Sequence, residues 1–292
     1  MIVGLVRRLA TAPGFRHLTR FQPLLRLSFA LRASLVRERL RFVANELRRE
    51  PVTGVYRLRR SGVAIAIRHH SGDVLVLDEI FSQGEYEPPP EVGPALAALW
   101  SPTVVDLGAN IGLFGAWTLG RYADAAIVAV EADPENAAVH RRTIEANGLG
   151  ERWQLIEGFA AAQSGVVRFA AGEHATSRAD GSEGSIDVRS VDVFPELARA
   201  DVVKIDIEGA EWEILADPRF AALAPRVLVL EYHEDGCPGP DPSHAAEEAL
   251  RAAGFEVVHG GRKPQFGAGI LWALPGQDAA PHGDAERVAQ DA

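Results

Sequence analysis

Val104-Val105-Asp106-Leu107-Gly108-Ala109-Asn110-Ile111-Gly112 reads as a buried strand that ends near a carboxylate and turns through glycine into a helix. Glycines let the backbone turn sharply and approach a ligand without side-chain interference. Outward from this stretch, apolar runs at 103–107, 126–131, 154–157, 201–206 and 226–232 read as strands, with late strands near 255–259 and 269–274. Helical stretches fall between them, at about 112–121, at 134–147, from 208, and at about 243–253. Alternation of this kind specifies an α/β, Rossmann-like, mostly parallel sheet with helices on both faces. Ligands of such sheets sit at the carboxyl ends of the strands, beside the point where strand order reverses.

With 292 residues and 47% hydrophobic content, the chain can bury a full core. Cys237 is the only cysteine, which excludes an intrachain disulfide or a multi-cysteine metal site and fits a reducing, cytoplasmic setting. No run of about 18 apolar residues reads as a membrane span, and Arg7 and Arg8 interrupt any signal-like segment. The net charge of −10 is unevenly spread: residues 1–60 hold 14 of the 30 basic residues against Glu38, Glu46 and Glu50, and the remainder is acidic. An acidic body argues against a nucleic-acid partner. Residues 15–47 carry apolar residues at roughly helical spacing with arginines between and a break at Pro23, so residues 1–50 either lie on an anionic membrane surface or pack on the domain. The expected organisation is a basic helical segment at 1–60, a β-hairpin and linker at 61–100, the main domain at 101–278 and a disordered tail at 279–292. The hairpin is expected from strands at 62–68 and 73–77 about His70-Ser71-Gly72. A second hairpin, from 166–169 and 186–189, is expected as an insertion before the fourth main strand.

The loop chemistry narrows the ligand. No Gly-Lys-Ser/Thr follows, so a P-loop is excluded; a G-x-G-x-x-G is missing, and Asp106 would set a negative charge beside a pyrophosphate. A cofactor bearing an ammonium and a sulfonium prefers such a carboxylate, which points to S-adenosylmethionine held by Asp106, Gly108, Asn110 and Gly112. The second strand ends in Glu131-Ala132-Asp133-Pro134, where Glu131 can accept hydrogen bonds from ribose hydroxyls while Asp133 caps the next helix and Pro134 starts it.

These two segments, with Val203-Lys204-Ile205-Asp206-Ile207-Glu208-Gly209-Ala210-Glu211, resemble the FkbM-type methyltransferases, a branch of the class I S-adenosylmethionine enzymes, over roughly residues 80–275. The third segment is the most specific of the three. The resemblance implies a seven-stranded sheet with a reversed last strand, S-adenosylmethionine as donor, and a hydroxyl acceptor on a secondary metabolite or sugar. It departs from the family at Glu157-Gly158-Phe159-Ala160, where an acid after the third strand often meets adenine. That contact falls here to Glu157 or to the backbone of Gly158 and Phe159, with the Phe159 ring against the base or in the core.

At the reaction end, alternation sets Lys204, Asp206 and Glu208 on one side of a strand that should be apolar, so they need a partner or a ligand. Asp206 is expected to face the methyl donor, as base, as orienter of the acceptor or as holder of the ammonium, with Glu208 beside it. Lys204 is expected to pair with Asp206 or Glu208. Glu211 and Glu213 suit the first helical turn and need no catalytic role. His233, ending the fifth strand, is the expected general base because its neutral form is available near pH 7; Glu231 orients it or binds substrate. The resemblance places Tyr86 in a loop over the cofactor. Asp206, Glu208, Glu231 and His233 could converge on a hard cation, but their spacing is no ligand signature and no metal is expected. The reading is O-methyl transfer to a small molecule. Its rivals are N- or C-methylation on the same fold, a nicotinamide oxidoreductase, and a non-catalytic domain that binds a membrane or partner.

Overall fold

The computed structural model describes residues 31–170, 178–179, 186–260 and 267–276. The first thirty residues and the expected tail at 279–292 lie outside them. The described part of the basic segment packs on the domain: helix α1 (Arg39–Glu46) buries Phe42 against strand β1 (Thr53–Arg57). Asn45 Nδ2 donates to the Tyr56 hydroxyl at 2.7 Å, that hydroxyl lies 2.6 Å from His69 Nε2, and His69 Nδ1 lies 2.6 Å from Glu46 Oε1. Leu40 stays 89% exposed on the outer face.

The expected first hairpin is wrong in its partner. Strand β2 (Ala64–Arg68) pairs antiparallel with β1, from Thr53↔Arg68 to Arg57↔Ala64, and residues 73–78 form helix α2 (Asp73–Asp78). The cause lies in Asp73. Its buried carboxylate accepts from the Arg68 backbone N–H at 2.8 Å and from the Arg68 guanidinium at 3.0 and 2.9 Å, closing the chain across a left-handed His70. Val74, Leu77 and Ile80 then recur at helical spacing and are all buried. A single π turn at Glu79–Gln83 follows, ended by left-handed Gly84, and helix α3 (Gly93–Ala97) leads into the main sheet.

That sheet is built from β3 (Thr103–Leu107), β4 (Ala126–Glu131) and β5 (Trp153–Glu157), then, after an insertion, from β10 (Val202–Ile205), β11 (Val227–Tyr232), β12 (Phe255–His259) and β13 (Gly269–Pro275). The order is β12-β13-β11-β10-β3-β4-β5, seven strands with β13 antiparallel to both neighbours. Apart from Asp106 on β3 and Lys204 on β10, the central strands are apolar because both faces are covered. Val104, Ala129, Val202 and Val229 feed one core, and Val105, Val130, Val203 and Leu228 feed the other. Strand order reverses between β3 and β10, so the loops after these two strands flank a crevice.

The insertion holds β6 (Phe159–Ala161), β7 (Gly165–Ala170), β8 (Arg178–Ala179) and β9 (Ile186–Asp192) in the order β6-β9-β7-β8. The expected hairpin is its β7/β9 pair, β6 runs parallel to β9, and the short helix α6 (Phe194–Leu197) follows. Among the described residues, no helix is long and apolar enough to cross a membrane.

Candidate active site

The crevice holds a cavity of about 350 Å³. Gly108, Asn110, Glu131, Gly158, Phe159, Asp206, Glu208, Tyr86 and Glu231, all singled out from sequence, line it. Asp106, Gly112, Glu157 and His233 do not.

Asp106 shows why. It is fully buried, and the ammonium of Lys204 reaches its Oδ1 at 3.2 Å while also meeting Asp206 Oδ2 at 3.2 Å and the Gly108 carbonyl at 2.8 Å. Burial pushes the Asp106 carboxyl up and the Lys204 ammonium opposes it. Burial would discharge Lys204, but the two aspartates outweigh it and raise its pKa. The charge of Asp106 is therefore spent inside the fold, and the expected Lys204–Asp206 pair is half of a three-membered group. The acidic residues offered to the cavity are others, Glu79, Glu85, Glu131, Asp206, Glu208 and Glu231, with Lys204 as the cation among the described lining residues.

The glycines also divide by role. Gly108 (φ +73°) crosses so close to β10 that a Cβ would stand 1.7 Å from the Asp206 carbonyl oxygen. Gly112 (φ +87°) makes way for the buried His140 ring, 2.5 Å from where a Cβ would be, and so shapes the start of helix α4 (Leu113–Leu119) from behind. Burial holds His140 neutral, its pKa lowered to about 3. Asn110 takes a left-handed φ of 49°, which asparagine tolerates.

Glu131 is the best-placed of the expected cofactor residues. Oε2 accepts from the Asn110 N–H at 2.7 Å and Oε1 from the Asp133 N–H at 2.9 Å, which fixes the carboxylate at the cavity wall. Burial raises its pKa to about 7, against those stabilising hydrogen bonds. Asp133 caps helix α5 (Pro134–Asn147) through the Glu135 and Asn136 N–H groups, with Pro134 in its first turn. Glu157 turns away and pairs with Arg141, leaving the far wall to Gly158 and Phe159.

The reaction end differs most from expectation. Glu208 (φ 52°) and Gly209 (φ 102°) are left-handed, so no helix starts at 208; helix α7 runs Glu211–Ala216. Glu211 is fully buried, accepting from the Gly209 N–H at 2.8 Å and the His233 N–H at 2.8 Å, with His233 Nδ1 at 3.2 Å. Glu211, not Glu231, therefore orients His233. His233 Nε2 points to Glu208 Oε2 at 3.5 Å and to Asp206 Oδ1 at 4.0 Å. Burial alone would lower the His233 pKa, but the Glu211 hydrogen bond and the charges of Asp206, Glu208 and Glu211 push it up to about 9. The expectation of a neutral imidazole near pH 7 is thus overturned by the surrounding acids. Asp206, Glu208 and His233 offer ligand atoms within 4.8 Å of one another, a set a divalent ion could use, and the imidazolium supplies a cation between the two carboxylates. Burial and the Asp206 charge raise Glu208 to about 7, with His233 opposing; burial and Asp206 also raise Glu231 well above the carboxylate range. The buried Tyr86 hydroxyl donates to Asp206 Oδ2 at 3.4 Å, its ring edge-on to Phe114.

The reversed seven-stranded sheet with an acid-lined crevice at its switch point is the fold of a methyltransferase. The chain belongs to the family described as Methyltransferase FkbM domain, which it matches over residues 106–257. It is 29% identical over 235 residues to the AMB antimetabolite synthetase AmbE of Pseudomonas aeruginosa, an alignment that takes in 63% of this chain and spans only 10% of that relative's length. Among solved structures it resembles the methyltransferase FkbM of Methylobacillus flagellatus KT, at 15% identity and a TM-score of 0.45, covering 69% of this chain and 54% of that one. It also resembles M. jannaschii TYW2 in complex with AdoMet, at 14% identity and a TM-score of 0.42, covering 78% and 87%.

Proposed function

We propose that this methyltransferase uses S-adenosylmethionine to methylate a hydroxyl of a small molecule. The observation that carries the reading is the acid lining of the cavity. Among the described lining residues, Asp206, Glu131 and Glu208 face a single lysine that is already shared between two aspartates, so the site suits a cationic cofactor and disfavours a pyrophosphate. The bound cofactor would supply a methyl group activated by the sulfonium. Glu131 would hold the ribose hydroxyls through the lone pairs its backbone donors leave open, and Gly158 and Phe159 would bound the base. Asp206, anchored by Lys204 and Tyr86, would meet the cofactor's positive end.

Glu208 would act as the general base in place of His233, the base expected from sequence. It lines the cavity, whereas His233 stands behind it. A base works best with a pKa near the working pH, and burial brings Glu208 to about 7. His233, held by Glu211, keeps Glu208 oriented and offsets part of the charge that gathers there. Positioning the acceptor oxygen in line with the methyl carbon does much of the remaining work. The test is transfer of a labelled methyl group from S-adenosylmethionine to a panel of hydroxylated small molecules, with Asp206→Asn as the blank and Glu208→Gln as the base variant. Label appearing on nitrogen or carbon would move the reading to the sister chemistries, and a product formed equally by Glu208→Gln would remove Glu208 from the base role.

A further inference from the structure

Helix α1 has two faces of opposite character. Phe42 and Asn45 are buried on the inner one, and Glu46 pairs there with the buried His69. On the outer one Leu40 and Leu47, seven residues apart and so on one side of the helix, are 89% and 68% exposed, with the exposed Ala44 between them. Arg39 and Arg41 stand on either side of Leu40 around the helix, and Arg48 and Arg49 follow Leu47; all four are exposed. A solitary exposed leucine is ordinary, but two on one helix face, fringed by arginines, match the pattern of a helix that lies in a membrane interface. We propose that this face docks on an anionic lipid bilayer, with Leu40 and Leu47 at the acyl boundary and the arginines on the headgroup phosphates. The proposal does not depend on the methyl-transfer reading.

Charge fixes the sign of the partner. Residues 31–60 hold nine arginines against Glu38, Glu46 and Glu50, on a chain whose net charge is −10. Two of those acids are engaged within the fold: Glu38 Oε2 accepts from the Arg57 backbone N–H at 2.9 Å, and Glu46 Oε1 lies 2.6 Å from His69 Nδ1. Arg41 is tethered, donating to the Val55 carbonyl and lying over the Tyr56 ring. Among the described residues, no ion pair takes up Arg39, Arg48 or Arg49. An antiparallel bridge between Val36 and Leu58, with the Arg59 N–H donating to the Leu35 carbonyl at 2.7 Å, holds the exposed Arg59 and Arg60 beside the chain that leads into α1. The apolar strip then selects the class of partner. A nucleic acid would satisfy the arginines and leave both leucines in water, whereas the boundary between headgroups and acyl chains accepts both groups. The inner face stays on the domain, with the Phe42 ring edge-on to Tyr56 at 5.1 Å, so docking needs no unfolding of α1 from β1.

Co-sedimentation of the full chain with vesicles tests the assignment, using phosphatidylcholine alone and an equal mixture of phosphatidylcholine and phosphatidylserine. The chain is expected to bind the mixed vesicles about tenfold more tightly or better, with the preference fading as salt is raised. Leu40→Gln with Leu47→Gln changes no charge and should weaken binding to the mixed vesicles by about tenfold. Arg48→Gln with Arg49→Gln leaves the leucines in place and should weaken it by at least about fivefold. Both pairs lie at exposed positions, so each variant should unfold at the wild-type urea concentration, which separates lost docking from lost fold. Equal binding to the two kinds of vesicle, no binding to either, or binding that the leucine pair leaves intact would overturn the assignment. Binding to duplex DNA without binding to vesicles would overturn it as well.

Discussion

Replacing Lys204 by methionine isolates the buried charge group beneath the cofactor loop. Lys204 is 3% exposed and Asp106 fully buried, and the ammonium lies 3.2 Å from one oxygen of each of Asp106 and Asp206. At that separation, with an effective dielectric of about 20, each contact is worth roughly 5 kcal/mol before desolvation is subtracted. Methionine keeps the shape of the stem but leaves Asp106 buried without a cation, a change that typically costs about 3–5 kcal/mol. The loss should depend on pH. Without Lys204 the folded pKa of Asp106 rises further above its unfolded value of about 3.9, so the variant is most stable below that value and loses stability as pH rises through the window up to the new folded pKa. Urea denaturation at pH 5 and pH 8 should therefore show the larger loss at pH 8. The double variant Lys204→Met with Asp106→Asn removes both charges and should recover most of it. A double variant as unstable as the single one, with no pH dependence in either, would refute the assignment of Asp106 to the fold.

Other consequences follow from the same geometry. Gly108→Ala sets a Cβ 1.7 Å from a backbone oxygen and should cost about 4 kcal/mol or more by urea denaturation, whereas Gly148→Ala, also at positive φ but with nothing within 4 Å, should cost only about 1–2 kcal/mol. His233 should titrate near 9 by NMR, and Glu211→Gln should lower that value by at least about one unit. Because the folded pKa is raised, the His233 contribution to stability is complete below about 6.5 and is lost as pH rises through about 9, and the variant should flatten that fall. Tyr56→Phe removes the hydroxyl shared by Asn45 and His69 and should cost about 1–3 kcal/mol, read by thermal or urea unfolding.

The main sheet was legible because its strands are apolar runs of strand length separated by helical stretches, and helix α5 was bounded by its own cap and proline. Residues 73–77 misled because the four-residue apolar run Val74–Leu77 fits a strand and a helix alike, and only the contact of Asp73 with Arg68 decides between them. In the site, Glu131 and Asp206 could be found because strand ends place them. Asp106 was also found, but its partner Lys204 lies on a neighbouring strand nearly a hundred residues away, so sequence could not show that its charge was already taken. Glu211 was missed for a related reason. Its position suits a solvated first helical turn, whereas it accepts locally from Gly209 and meets His233 only because the turns after β10 and β11 are adjacent. Left-handed Glu208 has no signal in sequence beyond the glycine that follows it.

Calorimetric titration of S-adenosylmethionine into the protein and into Glu131→Ala tests the central claim most directly. The wild-type chain should bind with a dissociation constant in roughly the micromolar range, and loss of the ribose acceptor should weaken binding by about tenfold or more. A wild-type chain that takes up NAD and not S-adenosylmethionine, or a Glu131→Ala variant that binds S-adenosylmethionine as tightly as wild type, would contradict it.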